Sequence, residues 1–172
     1  MKLSEKLHKY TKYVGAITML IPILVIFSFH TTLLVYFVGI IVNILLNYLL
    51  KILFRQLPPL YKNKNYVKKV MEKYNKNLDY HMYAFPSEKI QNISYAIGFI
   101  ATYLFENRKS MKRSMLDIFI SVIVVCYIIT AVTAGILYFS LHSSIFQMLS
   151  GKIVGLIIGV LFGNLARHFT KT

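Results

Sequence analysis

Five long apolar runs, at residues 13–29, 32–54, 90–105, 115–139 and 145–166, dominate this chain of 172 residues and restrict what it can fold into. A helix crossing the hydrocarbon of a bilayer needs about 20 mostly apolar residues. Most of the runs are near that length, and the third, 90–105, is short. The expected fold is all-α, an integral membrane helical bundle of about five transmembrane helices. Composition agrees, because 56% of the residues are hydrophobic and only 15% charged, against roughly a quarter charged in ordinary soluble domains. A soluble globular domain is excluded.

Twenty Lys and Arg against six Asp and Glu give a formal charge of +14. Because these cations lie between apolar runs, the expected partners are membrane lipids and their phosphates, and not nucleic acid. The single cysteine, Cys126, sits within an apolar run, so the chain has no internal disulfide and no thiolate metal site. No metal or cofactor is expected. Residues 1–12 form a polar, basic arm without the small-residue cleavage site of a signal peptide, so the first helix is expected to stay. Residues 13–172 read as one membrane domain.

Residues 28–32 make an uncharged hairpin between the first two helices, and Pro58-Pro59 closes the second, since proline lacks an amide hydrogen and disfavours helix before it. The largest polar insert, 60–84, carries Val67, Val70, Met71, Tyr74 and Leu78 at helical spacing, with Lys68, Lys69, Lys73 and Lys76 between them. It reads as an amphipathic helix on the membrane interface, with a basic loop as the alternative. Five spans put the termini on opposite faces. The face with the N-terminal arm and the insert then collects 14 Lys and Arg, and the face with residues 106–113 and the tail collects six. The positive-inside tendency makes the first face cytoplasmic, in the endoplasmic reticulum or an inner membrane.

Three polar clusters fall at helix ends on that face: Lys51, residues 85–89, and His142. Ionisable groups at membrane depth are costly and usually mark a site. Each also has a plain structural reading, in which Lys51 snorkels, Ser87 caps the third helix with Glu88 in its first turn, and His142 is a loop histidine. Their order resembles the type 2 phosphatidic acid phosphatases, closest in flavour to polyprenyl diphosphate phosphatases, whose signature is K-x6-R-P, then P-S-G-H, then S-R-x5-H-x3-D. Lys51 and six further residues reach Pro58-Pro59, with Pro58 where arginine is expected. Pro86-Ser87-Glu88-Lys89 takes the second place, followed by Gln91 and Ala96 in a helix similar to the one after that motif. His142 matches the late histidine, with Ile136 at the arginine place, and Gln147-Met148-Leu149-Ser150-Gly151 looks like D-V-L-A-G after one inserted residue. The resemblance covers roughly residues 48–159.

In that family the late histidine attacks phosphorus, the aspartate orients its ring, and the early histidine protonates the leaving oxygen. The resemblance implies His142 as nucleophile, Gln147 as its orienter, Lys89 at the acid-histidine place, and Lys51, Ser87 and Lys89 around the phosphate. The departures weaken catalysis. Both arginines are missing, Arg55 lies about one helical turn too early, and Glu88 brings negative charge where glycine let backbone approach phosphate. A lysine of ordinary pKa, about 10.4, gives up its proton poorly, and Gln147 carries no charge to stabilise imidazolium. Losing one such group typically costs two or more decades of rate.

Three functions follow as expectations. The first is a relative of the lipid phosphatases that binds a phospholipid head group, such as phosphatidic acid, or a polyprenyl phosphate, with weakened or lost catalysis. The second is an active phosphatase working through a phosphohistidine. The third is a non-enzymatic membrane-shaping or scaffold protein, for which Ser87 and His142 should lie on opposite faces. No H-E-x-x-H pair, Gly-rich phosphate loop or G-x-S-x-G elbow is present. Gly151, Gly155, Gly159 and Gly163 form a small-residue stripe, expected to pack within the molecule or to join a homodimer. Asn92-Ile93-Ser94 matches a glycosylation acceptor but enters an apolar helix, so a glycan is not expected there.

Overall fold

A computed structural model describes residues 13–26, 30–57, 59, 83–109 and 111–170. The basic arm and nearly all of the 60–84 insert lie outside these residues, and so does the expected interfacial helix. Among the described residues the chain is all-helical: α1 is Val14–Ile26, α2 His30–Phe54, α3 Glu88–Asn107, α4 Arg113–Phe139 and α5 Ile145–Thr170. Among the described residues three helices are long and apolar enough to cross a membrane, spanning His30–Phe54, Arg113–Phe139 and Ile145–Phe169. The sequence placed the second helix two residues late. His30, Thr31 and Thr32 form the first turn of α2, with Thr32 buried, and do not belong to a hairpin. At its other end α2 stops at Phe54 because Arg55 takes a left-handed conformation (φ 45), ahead of Pro59, with its amide donating to the Lys51 carbonyl at 3.0 Å.

The burial pattern is inside-out relative to a soluble bundle. On α2 the buried stripe is Thr32, Val35, Tyr36, Gly39, Asn43, Asn47 and Lys51, spaced three and four apart except for the adjacent Val35 and Tyr36. The opposite face exposes Leu34, Ile41, Leu45, Leu49 and Leu53, as expected for a helix that turns apolar side chains to lipid and keeps polar ones inside. The central helix is α3, which contacts each of the other four. Every residue from Ile90 through Ile100 is buried, the pattern of a helix surrounded on all sides.

Directions follow from pairings. Gly151 faces Ser87, Gly155 faces Gln91 and Gly159 faces Tyr95, a step of four residues on both helices, so α3 and α5 run parallel. A Cβ on Gly151 would come within 2.5 Å of the Ser87 carbonyl oxygen, and Cβ atoms on Gly155 and Gly159 would overlap the carbonyls of Gln91 and Tyr95. The glycine stripe is therefore occupied inside the chain, where missing side chains let two backbones meet. By contrast α2 and α4 run against α3: Lys51 pairs with Glu88 while Asn43 pairs with Asn92, and Tyr103 stacks on Phe119 while Ile93 and Ile97 pack with Cys126. The end of α2, the start of α3, the α4–α5 turn and the start of α5 consequently share one end of the bundle.

Candidate functional site

Three polar residues on α2, Asn43, Asn47 and Lys51, repeat every four positions and so project from one face toward α3. The Asn43 amide donates to Asn92 Oδ1 at 2.9 Å, and Gln91 Nε2 donates to both the carbonyl and the Oδ1 of Asn43 at 3.0 Å. Asn47 Nδ2 donates to Gln91 Oε1 at 2.7 Å and reaches the Pro86 carbonyl at 3.4 Å. Lys51 ends the row with its Nζ 2.6 Å from a Glu88 carboxylate oxygen. All four amide side chains are buried, as is Lys51 at 6% exposure. Such bonds between membrane helices contribute about 0.6–2 kcal/mol each. The row rises from apolar mid-bundle to the end where chain segments converge.

At that end the chain is tied together by backbone. The Ala84 amide donates to the Gln56 carbonyl at 2.8 Å, joining the segments after α2 and before α3. Ser87 occupies the N-cap position of α3 with extended backbone (φ −66, ψ 107), yet its side chain makes no capping bond. Its amide donates to the Gln147 carbonyl at 2.9 Å, and its own carbonyl accepts from Gln91. The plain expectation that the Ser87 hydroxyl caps the helix is thus not met, because the segment is fixed through its backbone. Phe85 meets Phe54 edge-on and stacks on Phe146, with ring centroids 4.7 and 5.6 Å away, and so joins the same three segments by apolar contact.

Gln147 has a different role from the one its alignment implies. The Ser144 amide donates to Gln147 Oε1 at 2.8 Å, while the Gln147 amide donates to Ser144 Oγ at 3.2 Å, which is a capping box on α5. Gln147 Nε2 donates to the Leu57 carbonyl at 3.2 Å. For His142 the partner at Nδ1 is Ser140, whose carbonyl lies at 2.9 Å and hydroxyl at 3.0 Å. A carbonyl only accepts, so that bond puts the proton on Nδ1. A backbone carbonyl thus holds the ring at Nδ1.

Lys51, Ser87, Lys89, His142 and Gln147 all lie at this end of the bundle. Lys51, Ser87 and Gln147 are connected through Glu88 and the Ser87 backbone, while His142 stands in the turn between α4 and α5. Lys89 follows Glu88 in the first turn of α3. Burial pushes its ammonium down to about 8, with adjacent Glu88 pulling it back up and Lys51 adding a smaller downward effect. Among the described residues no group of three His, Cys, Asp or Glu is arranged to hold a metal ion. The glycosylation pattern at Asn92 is closed off, since that side chain is buried and bonded to Asn43.

Sequence reasoning missed Asn43 and Asn47, and Asn92 as a partner. The signal was legible: amides four residues apart, leading to a lysine, on one face of an otherwise apolar helix. It also missed that Glu88 neutralises Lys51. Comparison with protein-family models, curated proteins and solved structures finds no match to this chain.

Proposed function

We propose that this chain is an integral membrane relative of the lipid phosphate phosphatases that holds the phosphate of a phospholipid or polyprenyl phosphate and hydrolyses it slowly or not at all. What supports binding is the meeting of three motif-bearing segments at one end of the bundle, around a buried lysine that has a carboxylate for its partner. Lys51 and Lys89 supply positive charge there, and the Ser87 hydroxyl, not used as a cap, supplies a further donor. Phosphate recognition needs fixed donors and cations around a spreading negative charge.

What argues against turnover is the state of the remaining catalytic places. The Gln147 amide is engaged in a capping box and with Leu57, so it is not available to polarise His142. Glu88 places a carboxylate beside the position where charge must accumulate in the transition state, which opposes the stabilisation such sites depend on. The experiment is phosphate release from phosphatidic acid and from a polyprenyl diphosphate by detergent-purified protein, with Lys51→Ala and His142→Ala beside the wild type. The expected outcome is binding that depends on Lys51 with no release above a blank. Release abolished by His142→Ala would instead establish a working phosphatase, and absence of both binding and release would leave a purely structural membrane protein.

A further inference from the structure

Within the phosphate-binding reading, on which this inference rests, we propose that Glu88 gates the site: its ion pair with Lys51 is an autoinhibitory contact that an incoming phosphate displaces. The Lys51 side chain is 7% exposed, and a Glu88 oxygen stands 2.6 Å from its ammonium. A buried ammonium requires an anion close by, and Glu88 is that anion. The two partners are built differently. Lys51 is held in the α2 stripe beneath the helix end, whereas the Glu88 side chain is 56% exposed on the first residue of α3. Glu88 can therefore turn out to water about its own side-chain bonds while both helices stay in place.

Carboxylate and phosphate oxygens compete for the same ammonium hydrogens, and like charges pressed together at one donor repel strongly. The first turn of a helix also favours a carboxylate, so Glu88 has reason to remain until a more highly charged anion arrives. The amides deeper in the row need not move, since Asn47 and Gln91 satisfy each other. The site is thus closed by its own side chain and opens toward phosphate, whether that phosphate sits on a lipid head group or is free in solution.

The test uses the full chain in phosphatidylcholine nanodiscs, as wild type, Glu88→Gln, Lys51→Met and the double variant, titrated with phosphatidic acid in one arm and inorganic phosphate in the other. Glu88→Gln is expected to bind at least about tenfold more tightly than wild type, and the gain is expected to vanish in the double variant. A gain only with phosphatidic acid supports a gate for lipid head groups, and a gain in both arms supports a gate for phosphate in general. Wild-type binding with folded Glu88→Gln binding no more tightly overturns the gate and leaves the phosphate site standing. Binding by none of the proteins overturns both. If Glu88→Gln does not fold, Glu88→Asp, whose shorter side chain holds Lys51 less closely, is the second probe: tighter binding supports the gate, and unchanged binding overturns it.

Discussion

The two principal faces of α3 are held by opposite means. Toward α5 the contact is backbone on backbone, with Gly151, Gly155 and Gly159 set against Ser87, Gln91 and Tyr95. Toward α2 it is side chain on side chain, through the amides of Asn43, Asn47, Gln91 and Asn92 and the Lys51–Glu88 pair. Gln91 belongs to both, lending its carbonyl side to Gly155 and its amide to α2. The α5 face sets how closely the helices approach and tolerates nothing larger than hydrogen. The α2 face is joined through hydrogen bonds between side chains and one ion pair, and only that ion pair is exchanged in the proposed phosphate site.

The largest effect should come from the close-packed face. Gly155→Val would drive a side chain into the Gln91 carbonyl, and a cost of about 3 kcal/mol or more is expected, read as loss of the monodisperse folded species in detergent. Gly135→Ala is the control, because a Cβ there meets nothing within 4 Å. It should be neutral or stabilising by up to about 1 kcal/mol. Equal damage from both would mean that the α3–α5 contact is not close.

On the polar face the effects should be smaller and unequal. Gln91→Leu strands partners on Asn43 and Asn47 and is expected to cost about 1–3 kcal/mol, measured by thermal unfolding in nanodiscs. Glu88→Gln should destabilise more than Lys51→Met in the absence of phosphate, by about 1–3 kcal/mol, since it leaves a buried ammonium unpaired while Lys51→Met leaves only a half-exposed carboxylate. The reverse order would contradict the assigned burial. A second ion pair, Arg167 with Glu106, has the same 2.6 Å separation but side chains 37% and 21% exposed. Arg167→Ala should cost less than about 1 kcal/mol.

The smallest effect concerns pH. Lys89 is charged below about 8 and loses its proton above it, well short of the ordinary lysine value of about 10.4. Phosphate affinity should therefore begin to fall as pH rises past about 8, and Lys89→Arg, which keeps its charge, should remove that fall. A wild-type profile identical to that of Lys89→Arg would mean that Lys89 does not face the ligand.

Much of this was readable beforehand, for particular reasons. The end of α4 and the start of α5 were legible because uninterrupted apolar runs stop at the Ser140–Ser144 turn, and the glycine stripe announced a close helix neighbour by its period of four. That α3 would be the most buried helix was not legible, since its short run carries Gln91, Asn92 and Ser94, and only the helices packed around it make such residues internal. The S-x-x-Q capping box is visible in Ser144 and Gln147, and the same glutamine falls where the resemblance places a histidine-orienting aspartate. Alternating spans place Lys51 and Glu88 at one end of the bundle, but their pairing depends on how α2 and α3 are rotated toward each other, which residue order does not give.

The most direct measurement is native mass spectrometry of the purified chain released from detergent containing equal phosphatidic acid, polyprenyl phosphate and phosphatidylcholine. A phosphate-holding site at the α2–α3–α5 end gives retained phosphatidic acid or polyprenyl phosphate in preference to phosphatidylcholine, with the retained lipid intact and lost in Lys51→Met. Equal retention of all three lipids, unchanged by Lys51→Met, would contradict it.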